Sequence, residues 1–187
     1  MHSPRLISFI LASSVLALLP AGALLAQEHG SERPFPHVSA AGEYAGDLRY
    51  MVDGILPDEE AAWDCLLNIA WEDTATSFVV DLGSVQRVEH VLVCVDNNDT
   101  YCIDASIDGA EFAHVLTIEA DDGEVEFGID CFASEESHPE YETAIAFAPV
   151  GARYIRMRAI DGDGAYAVGE LQIQTALRQS PHEISGP

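Results

Sequence analysis

Short apolar runs alternate with polar positions along most of this chain, and turn residues punctuate them. In 154–159, Ile155, Met157 and Ala159 interleave with Tyr154, Arg156 and Arg158, which places one face of an extended segment in a core and the other toward water. Phe78, Val80 and Leu82 share a face in the same way, with Val79 and Asp81 opposite. Such runs predict strands at 77–82, 87–95, 101–107, 112–118, 125–129, 143–147, 154–159 and 166–175, with Gly83 and Asp108-Gly109 among the stops. Strands this short, separated by turn signals every ~8–12 residues, indicate an all-β sandwich or barrel. Outside the N-terminus no 3.6-residue period competes, although 57–68 is expected to hold a helical turn.

The two ends read differently. A short basic start at Arg5, an apolar run over 7–19 and small residues at Ala23 and Ala26 have the order of a secretory signal peptide, 1–26, cleaved after Ala26. The run is shorter than the ~20 residues a membrane span needs, so the mature protein is expected to have no span and to be secreted or periplasmic. Residues 27–46 read as a polar linker, 47–175 as the β-sandwich and 176–187 as a polar tail.

Charge narrows the partners. With 32 Asp plus Glu against 8 Lys plus Arg the formal charge is −24, and every one of the bases is arginine. So few cations exclude non-specific nucleic-acid binding and docking on an anionic membrane. A hydrophobic content of 48% separates the chain from disordered acidic sequences. Export gives Cys65, Cys94, Cys102 and Cys131 the meaning of disulfides, in three possible pairings. Cys94–Cys102, which flank a turn-like stretch, with Cys65–Cys131 is the expected set. There is no C-x-x-C pair, and no two of His90, His114 and His138 have metal-ligand spacing, which disfavours zinc.

The order of motifs adds a resemblance. Val52-Asp53-Gly54, Trp63, Trp71, the Phe-Val-Val-Asp-Leu-Gly run of 78–83, the Ser-Ile-Asp-Gly-Ala-Glu-Phe run of 106–112, Arg153-Tyr154-Ile155-Arg156 and Gly169-Glu170-Leu171-Gln172-Ile173 follow one another as in discoidin-type, galactose-binding-like domains. The resemblance covers 46–175. The Asp-Asn-Asn-Asp-x-Tyr and Gly-Asp-Gly-x-Tyr stretches are similar to a bacterial branch of that group. It implies a jelly-roll β-sandwich of about eight antiparallel strands that binds carbohydrate or another cell-surface ligand through loops at one end, without catalysis. Trp63 and Trp71 then match packing tryptophans, with a sugar platform as the alternative, since aromatic faces stack on the apolar faces of sugars. Many discoidin-type domains also hold a structural calcium through the Asp of the early Asp-Gly turn and the Glu of the last strand. Here these are Asp53 and Glu170, with Asp58 as a helper, although Pro57-Asp58-Glu59-Glu60 departs from the usual pattern.

The local chemistry has its own candidates. Asp96, Asn97, Asn98 and Asp99 on one loop and Asp161 and Asp163 on another offer hard oxygen ligands. Calcium takes six to eight such oxygens, but no EF-hand spacing is present. The loops therefore form either a calcium site, or a cleft that hydrogen-bonds sugar hydroxyls with Tyr101 or Tyr166 as a stacking face, or simple Asx-turns. Glu170 could equally pair with Arg156 or Arg158. No nucleophile elbow, P-loop or H-E-x-x-H motif supports catalysis. The expected function is an exported, non-catalytic binding module for a glycan or cell-surface ligand. A calcium-dependent structural or adhesion domain is the alternative, and a glycan hydrolase a weaker one. The sequence leaves the oligomeric state open.

Overall fold

The computed structural model describes residues 36–120, 122, 123, 125, 127–135 and 145–176. Eight strands make up the described chain: β1 (His37–Ala41), β2 (Ile69–Trp71), β3 (Ser77–Asp96), β4 (Thr100–Ser106), β5 (Ala113–Ile118), β6 (Ile129–Ala133), β7 (Val150–Asp161) and β8 (Tyr166–Thr175). A 3-10 turn over Leu48–Val52 precedes β2, capped by the Asp47 carboxylate, which accepts from the Arg49 N–H. All pairings are antiparallel.

The 20-residue β3 organises the fold. Gly83 takes a positive φ of 77°, and the pairing with β7 shifts register between Asp81 and Gln86. Before that shift β3 lies between β1 and β7; toward its end it lies between β8 and β6. The same strand thus serves two layers, β1–β3–β7–β4–β5 and β2–β8–β3–β6. Phe78, Val80, Ile103, Ile155 and Met157 from the first face Val91, Val93, Val168, Leu171 and Trp71 from the second in one buried cluster. Each such side chain contributes roughly 1.5–3 kcal/mol of transfer free energy. This is the all-β antiparallel sandwich that the alternation predicts.

The second layer has a covered outer face. Leu92, Cys94, Ile129, Cys131 and Ala167 form a smaller cluster there, packed by Leu56, Ala61 and Trp63. Cys94 and Cys131 stand directly opposite each other in the β3–β6 register and are disulfide-bonded, with Cα atoms 4.0 Å apart. This corrects the expected pairing: Cys65 and Cys102 are free. The reason is topological. β4 pairs with β5 and β7 rather than with β3, so the stretch between Cys94 and Cys102 crosses from one layer to the other instead of closing a hairpin.

Other boundaries differ as well. The 27–46 stretch read as linker contains β1, whose two half-buried residues, Val38 and Ala40, are small. The strand expected at 125–129 is instead Ile129–Ala133, because Gly128 with φ 87° interrupts extended chain before Ile129. Of 143–147, the described residues 145–147 are not in a strand, and 143 and 144 lie outside the described residues. The 57–68 segment makes isolated turns, such as Cys65 N–H to the Ala62 carbonyl, and no helix. The signal peptide 1–26 and 177–187 of the polar tail lie outside the described residues.

Candidate functional site

Two crossings between the layers lie side by side at one end of the sandwich. One joins β3 to β4 through Asn97, Asn98 and Asp99; the other joins β7 to β8 through 162–165. Asp163 N–H donates to Asp99 Oδ1 at 3.0 Å, and Asn98 Nδ2 donates to Asp163 Oδ2 at 3.1 Å. The approach is so close that a Cβ on Gly162, whose φ is 143°, would collide with Asp99 Oδ1. Asp163 Oδ1 also accepts from Ala165 N–H at 2.9 Å, an Asx-turn.

The loops do come together, but most of their side chains turn inward. Asp96, Asn97 and Asp99 are buried. Asn97 is pinned from its N–H to the Gly128 carbonyl at 3.0 Å and from Nδ2 to the Val125 carbonyl. Burial pushes the Asp96 carboxyl up to about 6, helped by the charge of Asp163. Burial likewise holds Asp99 up at about 6 despite the Asp163 N–H, with Asp163 and Asp96 adding to the rise. Asn98, Asp161 and Asp163 are exposed.

Tyr101 and Tyr166 are not a stacking face. Tyr101 is 0% exposed, its ring edge-on to Trp71 at 6.0 Å and to Tyr166 at 6.3 Å. Its hydroxyl accepts from Ala167 N–H at 3.3 Å and donates to Asp99 Oδ2 at 3.4 Å. Tyr166 packs 5.8 Å from Trp71 and is buried too. These two rings belong to the core and anchor the loops from beneath.

Next to the second crossing opens a cleft of 710 Å³. Its lining carries the rings of Tyr44 and Trp63 and the acids Glu43, Asp64, Glu72 and Asp73. Gly164 joins cleft and crossing, since a Cβ there would be 3.9 Å from the Glu72 carbonyl oxygen. Tyr44 is exposed and Trp63 half-buried, whereas Trp71, also in the lining, is core. The two tryptophans therefore divide: one packs, the other faces the cleft while covering the disulfide cluster. Trp71 Nε1 and Asn68 Oδ1, both on lining residues, have no hydrogen-bond partner among the described residues.

The sequence missed this cleft. Tyr44 and Glu43 sit in the stretch read as linker, and no spacing links them to 63–73. They meet because Ala45 bridges to Ala70 beside β2. The trace in the sequence was Trp63 itself, whose ring can stack on the apolar face of a sugar.

The Asp53–Glu170 pair is brought together across the outer face of β8. Glu170 is 1% exposed, and both carboxylate oxygens accept from Gly54 N–H, at 3.2 and 3.3 Å. Burial pushes Glu170 up to about 7, with the Asp53 charge adding to it. Asp53 Oδ1 accepts from Ile55 N–H at 2.9 Å. Asp58 is exposed, and its carbonyl accepts from Ala61 N–H. Arg156 and Arg158 are elsewhere: both reach Asp104, at 2.7 and 3.6 Å, while Arg153 pairs with Asp81 at 2.8 Å. The arginine partner considered for Glu170 is therefore engaged on the other layer.

No family profile and no curated protein matches the chain. Several solved structures are similar to it. One is a CBM32 module of Clostridium perfringens, 13% identical, with a TM-score of 0.47 over 78% of this chain and 97% of that one. A second, from the same organism, is in complex with GalNAc-β-1,3-galactose, at 16% identity, a TM-score of 0.48 and coverage of 73% and 93%. A third is chitosan-binding module 2 of a Paenibacillus chitosanase/glucanase, in complex with chitotriose, at 16% identity, a TM-score of 0.45 and coverage of 74% and 95%.

Proposed function

We propose that this chain is an exported carbohydrate-binding module, without catalysis of its own, that takes a glycan of a cell surface or matrix into the cleft bounded by Tyr44 and Trp63. The observation that carries this reading is the lining: Tyr44 and Trp63, one exposed and one half-buried, with four acidic residues around a concavity of 710 Å³. Small-ligand sites combine apolar faces with a few oriented polar groups, and aromatic rings with carboxylate acceptors suit the alternating apolar and hydroxyl surfaces of a sugar. Asn98, Asp161 and Asp163 extend the polar rim. The Cys94–Cys131 disulfide supports export, because such bonds form and persist in oxidising compartments.

Calcium is a separate proposal, and its residues are Asp53 and Glu170. A carboxylate as buried as Glu170, without a guanidinium beside it among the described residues, is costly to ionise, and a hard cation shared with Asp53 would offset that cost. Asp58, which is exposed, is left out of this proposal. The ion would tie the 53–57 segment to β8.

A glycan array probed with the oxidised chain tests the binding reading. Tyr44→Ala and Trp63→Ala are expected to weaken the best hit at least ~10-fold, equivalent to ~1.4 kcal/mol. A folded wild-type chain that retains no glycan overturns it. Release of reducing ends from a bound glycan, lost in Asp64→Asn, would replace binding by hydrolysis. A melting shift with calcium in the absence of any glycan hit would favour the structural domain.

A further inference from the structure

We infer that Cys102, Asp104 and His114 form a binding site for a thiophilic divalent cation, zinc being the best fit, on the outer face of the β7–β4–β5 layer. The site is independent of the cleft and of the Asp53–Glu170 pair. Residues 102 and 104 share a face of β4, and His114 stands directly opposite Asp104 on β5, so three ligand types converge through strand geometry alone. Cys102 is free for this because the disulfide takes Cys94 and Cys131.

The distances suit a tetrahedral ion. Zinc at ~2.3 Å from sulfur and ~2.0–2.2 Å from nitrogen and oxygen sets S···O near ~3.6 Å and N···O near ~3.4 Å. Here Cys102 Sγ lies 3.7 Å from Asp104 Oδ1, and His114 Nδ1 lies 3.6 Å from the same oxygen. All three ligand atoms fall within 4.8 Å of one another.

The groups behind the ligands are arranged as in zinc sites. Asp104 divides its oxygens: Oδ2 accepts from Arg156 Nε at 3.1 Å and Nη2 at 2.7 Å, with Arg158 Nε at 3.6 Å, leaving Oδ1 toward the thiol and imidazole. Arg156 is itself held over the Phe112 ring at 4.3 Å. His114 Nε2 is 3.3 Å from Thr117 Oγ1, which fixes the ring with Nδ1 toward Asp104. The His114 side chain is 57% exposed, giving the ion a path in and water the fourth position. Binding displaces the thiol proton to solvent and forms the metal–thiolate bond.

The test uses the full oxidised chain carrying Cys65→Ser, in which Cys102 is the remaining thiol. Added cobalt(II) is expected to give a near-ultraviolet thiolate-to-metal charge-transfer band, which one equivalent of zinc removes. Cys102→Ser should abolish the band, and His114→Gln, at a half-exposed position that leaves the core untouched, should weaken zinc at least ~10-fold. Thr117→Ala, a positioning change, should weaken zinc without removing the band. Absence of the band in the Cys65→Ser chain overturns the site. So does zinc uptake unchanged in His114→Gln, which would place the metal on oxygen ligands elsewhere.

Discussion

The main-chain N–H of Asp163 donates to the carboxylate of Asp99 at 3.0 Å, tying one inter-layer crossing to the other. Asp99 is 1% exposed, and Asp96 is buried close by. Among the described residues neither has a guanidinium to balance it, so the end of the sandwich that carries the crossings is held by hydrogen bonds and burdened by charge.

That burden sets the pH dependence. Asp96 and Asp99 sit at about 6 in the folded chain, chiefly through burial, against ~3.9 when unfolded. Between those values the folded state keeps protons that the unfolded state has released, so stability falls as pH rises through the window. Glu170, pushed up to about 7 by burial, extends the fall toward neutrality. Asp81, held low by Arg153, acts in the opposite sense: its stabilisation is present above the unfolded value and lost as pH falls through its depressed one. Calorimetry in chelator should therefore show a higher Tm at pH 5 than at pH 8, by on the order of 3–6 °C. Asp99→Asn should flatten the slope. A Tm that climbs from pH 5 to pH 8 contradicts the assignment.

Gly162 has no room for a methyl group. Gly162→Ala is expected to cost ~1–3 kcal/mol, through the collision with Asp99 Oδ1 and a φ of 143°. Denaturant titration of Gly162→Ala with and without Asp99→Ala separates the two causes. If the contact dominates, the double variant recovers most of the loss; equal losses would assign all of it to the backbone.

Tyr101 is a structural residue. Tyr101→Phe removes the hydroxyl that accepts from Ala167 and donates to Asp99, and it should destabilise the chain by about 1–3 kcal/mol. Glycan affinity measured on the same variant at a temperature where it stays folded should be unchanged. A selective loss of affinity with full stability would return Tyr101 to the ligand site.

These residues also mark what a sequence can carry. The alternation of Ile155, Met157 and Ala159 with Tyr154, Arg156 and Arg158 reports burial directly, because strand periodicity is local. Aromatic residues beside an Asp- and Asn-rich loop have no such marker: Tyr101 and Tyr166 stand at the starts of buried strands, and only the crossing of the layers shows their rings pointing inward. The pairing of Cys94 with Cys131 and the meeting of Tyr44 with Trp63 depend on contacts far apart in the chain. So does His114 beside Asp104. Histidine spacing along the sequence does not reveal a neighbour on the adjacent strand.

Peptide mapping of the oxidised chain should recover a Cys94–Cys131 cross-link and two alkylatable thiols. The bridge closes a loop with a sequence separation of 37, and Cys131→Ala should lower stability by ~2–4 kcal/mol. A Cys94–Cys102 cross-link would require β4 to leave β7, and its recovery would contradict the strand order.

The cleft should select ligands by charge. Among the described residues its lining holds Glu43, Asp64, Glu72 and Asp73 and no arginine. A ligand charge ~6 Å from one exposed carboxylate feels roughly 0.7 kcal/mol in water, so several together reach the ~1.4 kcal/mol that a tenfold difference requires. Oligomers of glucosamine should therefore bind at least ~10-fold more tightly than uronate oligomers of equal length at about 0.01 M salt, where screening extends ~30 Å. At about 1 M salt, with screening near ~3 Å, the two should converge, while a neutral oligomer should change little. Glu72→Gln combined with Asp73→Asn should narrow the gap at low salt without altering the neutral ligand. A uronate preference that survives low salt would place the binding surface away from these four acids.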